Sequence, residues 1–216
     1  MEDKTKEHLE QLSEIRDMMK ESTQFLSLSG MSGVFAGILA LVGAALVWTD
    51  FFEMVSPGYF DDISARNGLL NWKMVIKVGY LLVVGCGVLA ASLLVGFILT
   101  AQKAKKHGRK LFDSAAKKLL LNLFIPLFMG GLFCVALVLN GYVGAVAPAT
   151  LLFYGMALYN AGKYTYRDIR YLGVCEMVLG VIAMLFMGRG LYFWAFGFGV
   201  LHIVYGLTMY IKYDRS

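Results

Sequence analysis

The chain has 216 residues, of which 58% are hydrophobic and 16% charged, with 24 glycines and a formal net charge of +5. Its mean hydropathy of +0.64 lies far from the balance of a soluble domain, where about a quarter of residues are charged. The apolar residues fall in long blocks, which excludes a soluble enzyme, a nucleic-acid-binding domain, a disordered regulator and a secreted disulfide scaffold.

Residues 1–26 form the first unit. Leu9, Leu12, Ile15 and Met19 recur at three- to four-residue spacing and predict a cytoplasmic amphipathic helix. Seven acids and four bases give it an acidic polar face, unsuited to anionic lipid but suited to a cytoplasmic partner, a second copy or the underside of its own bundle. The acidic tail before a long apolar block does not fit a cleaved signal peptide.

Residues 27–216 form the second unit, with six predicted membrane helices at 27–48, 74–100, 119–139, 143–162, 171–187 and 190–211. A hydrocarbon core of roughly 30 Å needs about 20 helical residues. The backbone must satisfy its own hydrogen bonds in lipid, so the expected fold is an all-α polytopic bundle of six transmembrane helices.

In the first span, Ser29, Gly33 and Gly37 recur every four residues and predict a face for close helix packing, either within the chain or between copies. The segment 49–72 follows, with Asp50, Glu53, Asp61 and Asp62 among aromatic residues, and reads as an interfacial lid outside the membrane. In the second span, Gly85, Gly87 and Ala90 fit a dinucleotide-binding pattern. That motif needs a strand before it and a solvated helix start, so here the glycines read as packing positions. The loop 103–118 carries seven basic residues and one acid, which sets topology and suits anionic headgroups.

The third and fourth spans form a hairpin turning at Asn140-Gly141-Tyr142. Asn122 and Asn160 stand at equal distance from that turn, and Pro126 removes the amide that would bond the Asn122 carbonyl. A kink beside a polar pair predicts either a hinge or a backbone repair. The fifth and sixth spans turn at Gly188-Arg189-Gly190. Glu176 and His202 each lie 13 residues from Arg189, about 20 Å along a helix. An ionised carboxylate in lipid costs about 3 kcal/mol or more, so the two are expected to meet. They would act as a proton-accepting or cation-binding couple, or as a hydrogen-bonded clasp. Cys175 points about 100° away from Glu176, which disfavours a shared metal site.

Within the six spans the formally charged side chains are Lys77 and Glu176. Basic residues concentrate in the tail, in the loops after the second and fourth spans and at the C-terminus, so both termini are expected in the cytoplasm. Cys86, Cys134 and Cys175 all fall in predicted helices, which argues against a disulfide framework.

The stretches SLSGMSGVFAGILALVGA (27–44), LLLNLFIPLFMGGLFC (119–134), APATLLFYGMALYNAGKYTYRDIRYLGVCEMVLG (147–180) and FWAFGFGVLHIVYGLTMYIKYDR (193–215) resemble an uncharacterised family of small six-span bacterial inner-membrane proteins. The segment 49–72 resembles it least. The resemblance implies a multi-pass protein of the bacterial inner (plasma) membrane. It assigns no activity, so no catalytic or binding residue carries over.

The expected function is that of a non-enzymatic sensing or association module within the bilayer, presenting residues 2–26 to a cytoplasmic protein or forming a homo-oligomer. The alternative is a small-solute or ion transporter, proton-coupled through Glu176 and His202. No catalytic residue, metal, cofactor or nucleic-acid partner is expected.

Overall fold

The computed structural model describes residues 24–55, 72–106, 108, 112–186 and 188–215. Among these the chain is all-helical with no strand. The predicted amphipathic helix lies almost wholly outside the described residues, as does most of the predicted lid.

The helices are α1 (Gly30–Leu46), α2 (Trp48–Val55), α3 (Trp72–Lys106), α4 (Ser114–Leu139), α5 (Val146–Ala161), α6 (Asp168–Leu185) and α7 (Gly190–Asp214). A short 3₁₀ turn, Val143–Ala145, leads into α5. Among the described residues four apolar stretches are long enough to cross a membrane: Val75–Lys106, Ser114–Leu139, Val143–Ala161 and Gly190–Asp214. α1 is equally apolar but has 17 residues, and α6 has 18 and carries Asp168, Arg170 and Glu176. Bare apolar side chains cover α3 and α4, including Ile76, Val83, Leu93, Leu121 and Phe124, as a surface facing lipid requires.

Helix bounds depart from the expected spans where polar residues join a helix. α3 continues past Thr100 to Lys106, so Lys103, Lys105 and Lys106 stand on its last turns rather than in a loop. α4 starts five residues early, because the Asp113 carboxylate accepts the Ala116 N–H at 2.6 Å and caps it. α2 makes helical the start of the stretch expected to be a lid, and its Asp50 pairs with Lys77 of α3 at 3.8 Å.

Glycine sets the packing order. The side of α1 holding Gly30, Gly33 and Gly37 lies against α7, where a Cβ on Gly33 would come 3.1 Å from Gly206 Cα and one on Gly37 2.6 Å from the Gly199 carbonyl. α1 therefore sits between α3 and α7, and α5 between α4 and α6, with the first half of α7 joining the two groups. The α5–α6 pair repeats the device: a Cβ on Gly155 would meet the Gly173 carbonyl at 2.6 Å, and one on Gly180 the Pro148 carbonyl at 2.9 Å. Backbones this close gain dispersion contacts that lipid chains cannot supply. Gly141 and Gly188, with φ of 82° and 88°, close the two hairpins in a conformation glycine adopts without strain.

At the opposite end from these hairpins the chain is tied by polar contacts. Residues 24–29 run extended beneath the bundle, with Phe25 buried against Ala115, Ala116, Leu119 and Ala161. The Phe25 N–H donates to the Tyr164 carbonyl at 2.7 Å. Thr165 Oγ1 donates to the Phe25 carbonyl at 2.7 Å, Tyr166 Oη to that of Leu26 at 2.5 Å, and Lys103 Nζ to that of Leu28 at 2.9 Å.

Candidate functional site: a buried carboxyl beside a histidine

α6 aims Glu176 inward because Gly173, Glu176 and Gly180 share one face at helical spacing. The two glycines draw the α6 backbone onto α5, and the longer side chain between them reaches toward α7. α7 receives it with a glycine. A Cβ on Gly197 would lie 2.5 Å from Glu176 Oε2 and 2.6 Å from Leu151 Cδ2, so the carboxyl occupies room that only glycine leaves.

Gly197 belongs to a π-helical stretch, Ala195–Leu201, inserted into α7 directly before His202. The wider turn shifts the helix faces that follow it, and such insertions often mark functional positions. It helps place the His202 ring, whose Nδ1 lies 3.0 Å from the Gly197 carbonyl and 3.4 Å from Glu176 Oε1. A carbonyl only accepts, so Nδ1 carries the proton and donates to it. Nε2 is then the acceptor for Tyr154 Oη of α5 at 2.8 Å. Phe198 stacks on the ring at 5.8 Å between centroids and also packs against Tyr154.

Glu176 is 0% exposed and His202 6%. Both carboxyl oxygens of Glu176 lack a hydrogen-bond partner among the described residues, as does the buried hydroxyl of Tyr205 one turn beyond His202. Buried polar atoms are rarely left this way. The Nδ1–Oε1 separation is a few tenths of an ångström beyond a good hydrogen bond, so a small rotation brings the carboxyl into the network. Chemically, the site offers a carboxyl with free lone pairs, an imidazole with fixed hydrogen-bonding directions and a phenol behind it, which suits accepting and passing a proton.

The other predicted positions fall elsewhere. Asn122 and Asn160 do not form a bonded pair: the Asn122 side-chain amide donates to the Lys118 carbonyl of its own helix at 2.8 Å. α4 runs as continuous helix through Pro126. Gly33 and Gly37 pack within the chain, on α7. Ser29 is a correction, because it precedes α1 rather than lying on its face, and its hydroxyl donates to Asp214 Oδ2 at 3.3 Å. Cys175 is exposed while its neighbour Glu176 is buried. Among the described residues no group of three or more His, Cys, Asp or Glu side chains gathers as a metal site would require.

Tyr154 and Gly197 are the site residues that spacing did not reveal. The equal-depth arithmetic that pairs Glu176 with His202 works only along one hairpin, whereas Tyr154 comes from a helix outside it. The excess of glycine in 195–206 was the available signal for Gly197. No protein-family model, curated protein or solved structure matches the chain.

Proposed function

We propose that the protein is a six-span, non-enzymatic sensing module of the bacterial inner membrane, with both termini in the cytoplasm, and that Glu176 is the group through which it senses. The observation that carries this is the fully buried carboxyl with unbonded oxygens, 3.4 Å from the His202 imidazole. Ionisable side chains within spanning helices are costly and mark functional positions by default. A purely structural clasp would instead satisfy the carboxyl. The internal use of Gly33 and Gly37 moves the weight of the proposal from association through α1 to this site. Association with a partner or a second copy rests on residues 2–26.

The test is the pH dependence of intrinsic fluorescence in the reconstituted full chain, since Trp194 packs on Phe198 beside the site at 5.0 Å. The expected result is a titration that Glu176→Gln abolishes while the protein stays folded. A titration unchanged by the substitution overturns the proposal.

The second reading is a small-solute or ion transporter coupled to protons through Glu176 and His202, favoured by the π-helical stretch that interrupts α7 directly before His202. Solute or ion flux in proteoliposomes that requires a proton gradient and is lost in Glu176→Gln supports it. Flux that persists in the folded variant removes it.

A further inference from the structure

We propose that the chain moves as two rigid bodies, α1–α3–α7 and α4–α5–α6, which part at the polar end of the seam between them and so open the Glu176–His202 site to water from that end alone. The polar end is the one where α1 begins and α7 ends. The proposal deepens the sensing role of Glu176, on which it rests, by naming the route to the site.

Each body is held by backbone contact. In the first, Gly30 and Gly37 of α1 lie against Gly206 and Gly199 of α7, with no room for a Cβ at Gly30, Gly37 or Gly206. In the second, Gly155 of α5 and Gly173 of α6 meet in the same way. Helices packed this tightly transmit a displacement rather than absorb it, so each trio moves as a unit.

Contact between the bodies is of another kind. α7 lies closest to α5 and α6 over its first turn, Gly190–Trp194, and draws away from both along its length, so the seam is a wedge that widens toward the polar end. At the narrow end a Cβ on Gly190 would stand 3.1 Å from Ala147 Cβ and 3.4 Å from the Gly144 carbonyl, and the turn at Gly188 ties α6 to α7. Past Gly197 the glycines of α7 that make close contacts, Gly199 and Gly206, face α1. Long side chains fill the wedge instead. Tyr154 reaches His202 at 2.8 Å, while Leu201 and Tyr205 pack on Leu158, Ile169 and Leu172.

The buried side-chain polar atoms without a hydrogen-bond partner among the described residues are Glu176 Oε1 and Oε2 and Tyr205 Oη, and all three lie in this wedge. Closure leaves them unsatisfied, and water entering on opening satisfies them. Polar ties at the mouth oppose that opening. Asp168 of α6 accepts from Tyr213 Oη of α7 at 2.7 Å and from Lys212 Nζ at 2.9 Å. The Lys212 side chain is 53% exposed, so water replaces its half of this latch at little net cost. Residues 24–29 form the second tie. Phe25 and Leu26 bond to Tyr164, Thr165 and Tyr166 of the second body, whereas the Leu28 carbonyl bonds to Lys103 of the first, whose Nζ also reaches Tyr166 Oη at 3.4 Å. This short bridge limits how far the mouth opens. The apolar contacts of the narrow end have no substitute in water, so that end is the hinge.

Pulsed electron-spin distance measurement on the full chain in lipid tests the hinge, with Cys86, Cys134 and Cys175 replaced by Ala in the parent. Spin labels at Lys105→Cys and Lys163→Cys span the mouth, and labels at Leu46→Cys and Leu139→Cys span the hairpin end; all four positions are exposed. The expected result of Asp168→Ala is a longer-distance population at the mouth about 3–10-fold larger than in the parent, with hairpin-end distances unchanged. That is the range expected for losing one partly exposed ion pair and one hydrogen bond. Tyr213→Phe removes one of the two bonds with little change of volume. Its smaller shift of the same sign keeps the test decisive if Asp168→Ala folds poorly. A merely structural role for Asp168 would lower the melting temperature and broaden both pairs alike. Mouth distances that stay at parent values in both variants, or that change equally at the two ends, overturn the hinge; a fluorescence titration through Glu176 that persists then leaves the sensing role standing. A parent protein that opens at the mouth but shows no such titration overturns the sensing role instead.

Discussion

The backbone N–H of Gly30 donates to Asp214 Oδ2 at 2.9 Å, so the last residue of α7 caps the first residue of α1. The second carboxylate oxygen of Asp214 meets Lys103 Nζ of α3 at 2.5 Å, and both side chains are nearly buried. One carboxylate thus joins three helices that are far apart in sequence. Replacing Asp214 with Ala removes a cap and the nearly buried carboxylate that meets the Lys103 ammonium, which should destabilise the protein by about 2–4 kcal/mol. Thermal unfolding in mild detergent checks this. The double variant with Lys103→Met should lose less than the two single losses combined, because the two side chains meet directly and each single variant already removes their contact.

Gly197→Ala should destabilise by about 1–3 kcal/mol, because its methyl would meet Glu176 Oε2 and Leu151 Cδ2 well inside contact distance. Adding Glu176→Ala withdraws one of those two obstacles. The thermal midpoints of the four proteins in this cycle should yield a favourable coupling of about 1 kcal/mol. Independent, additive losses would mean that the carboxyl does not press on Gly197.

Glycine substitutions should divide by helix. A Cβ on Gly206 would come 2.5 Å from the Val34 amide nitrogen and 2.8 Å from the Gly30 carbonyl, and backbone cannot move aside as a side chain can. Gly206→Val should therefore part α1 from α7 and lower the melting temperature sharply. Gly85 on α3 has open space around it. Gly85→Ala should be neutral or stabilising by up to about 1 kcal/mol, the ordinary helical preference of alanine over glycine.

Acid should loosen the junction between α6 and α7. Burial works to raise the Asp168 carboxyl, but hydrogen bonds from Lys212 and Tyr213 outweigh it, and the net position is below the usual carboxylate range. A group depressed in the folded state contributes stability above its unfolded pKa and loses it as pH falls through the folded one. The melting temperature should thus drop on acidification below the ordinary aspartate range. Asp168→Asn should start lower at neutral pH and show a shallower fall, and an unchanged pH profile in that variant would contradict the assignment.

The long apolar helices were legible because lipid solvation writes its demand into every residue of a span. The Glu176–His202 approach was legible for a related reason, since an antiparallel hairpin fixes depth and an isolated carboxylate in lipid needs a neighbour. The same depth rule placed Asn122 opposite Asn160, yet no bond follows, because equal depth says nothing about which way a side chain turns. Asn122 has a carbonyl of its own helix within reach and uses it. Helix ends were misplaced where one polar atom decides them, as Asp113 does for α4.

Composition and local periodicity determined that this chain builds apolar helices and where its turns fall, because those properties depend on solvent and on neighbours in sequence. Tertiary structure alone decided that the glycines of α1 meet α7, that Asp214 closes the bundle at Gly30, and that Tyr154 and Gly197 join the buried pair. Each of these contacts links distant segments through close backbone approach or a single hydrogen bond, and such geometry exists only once the helices have packed.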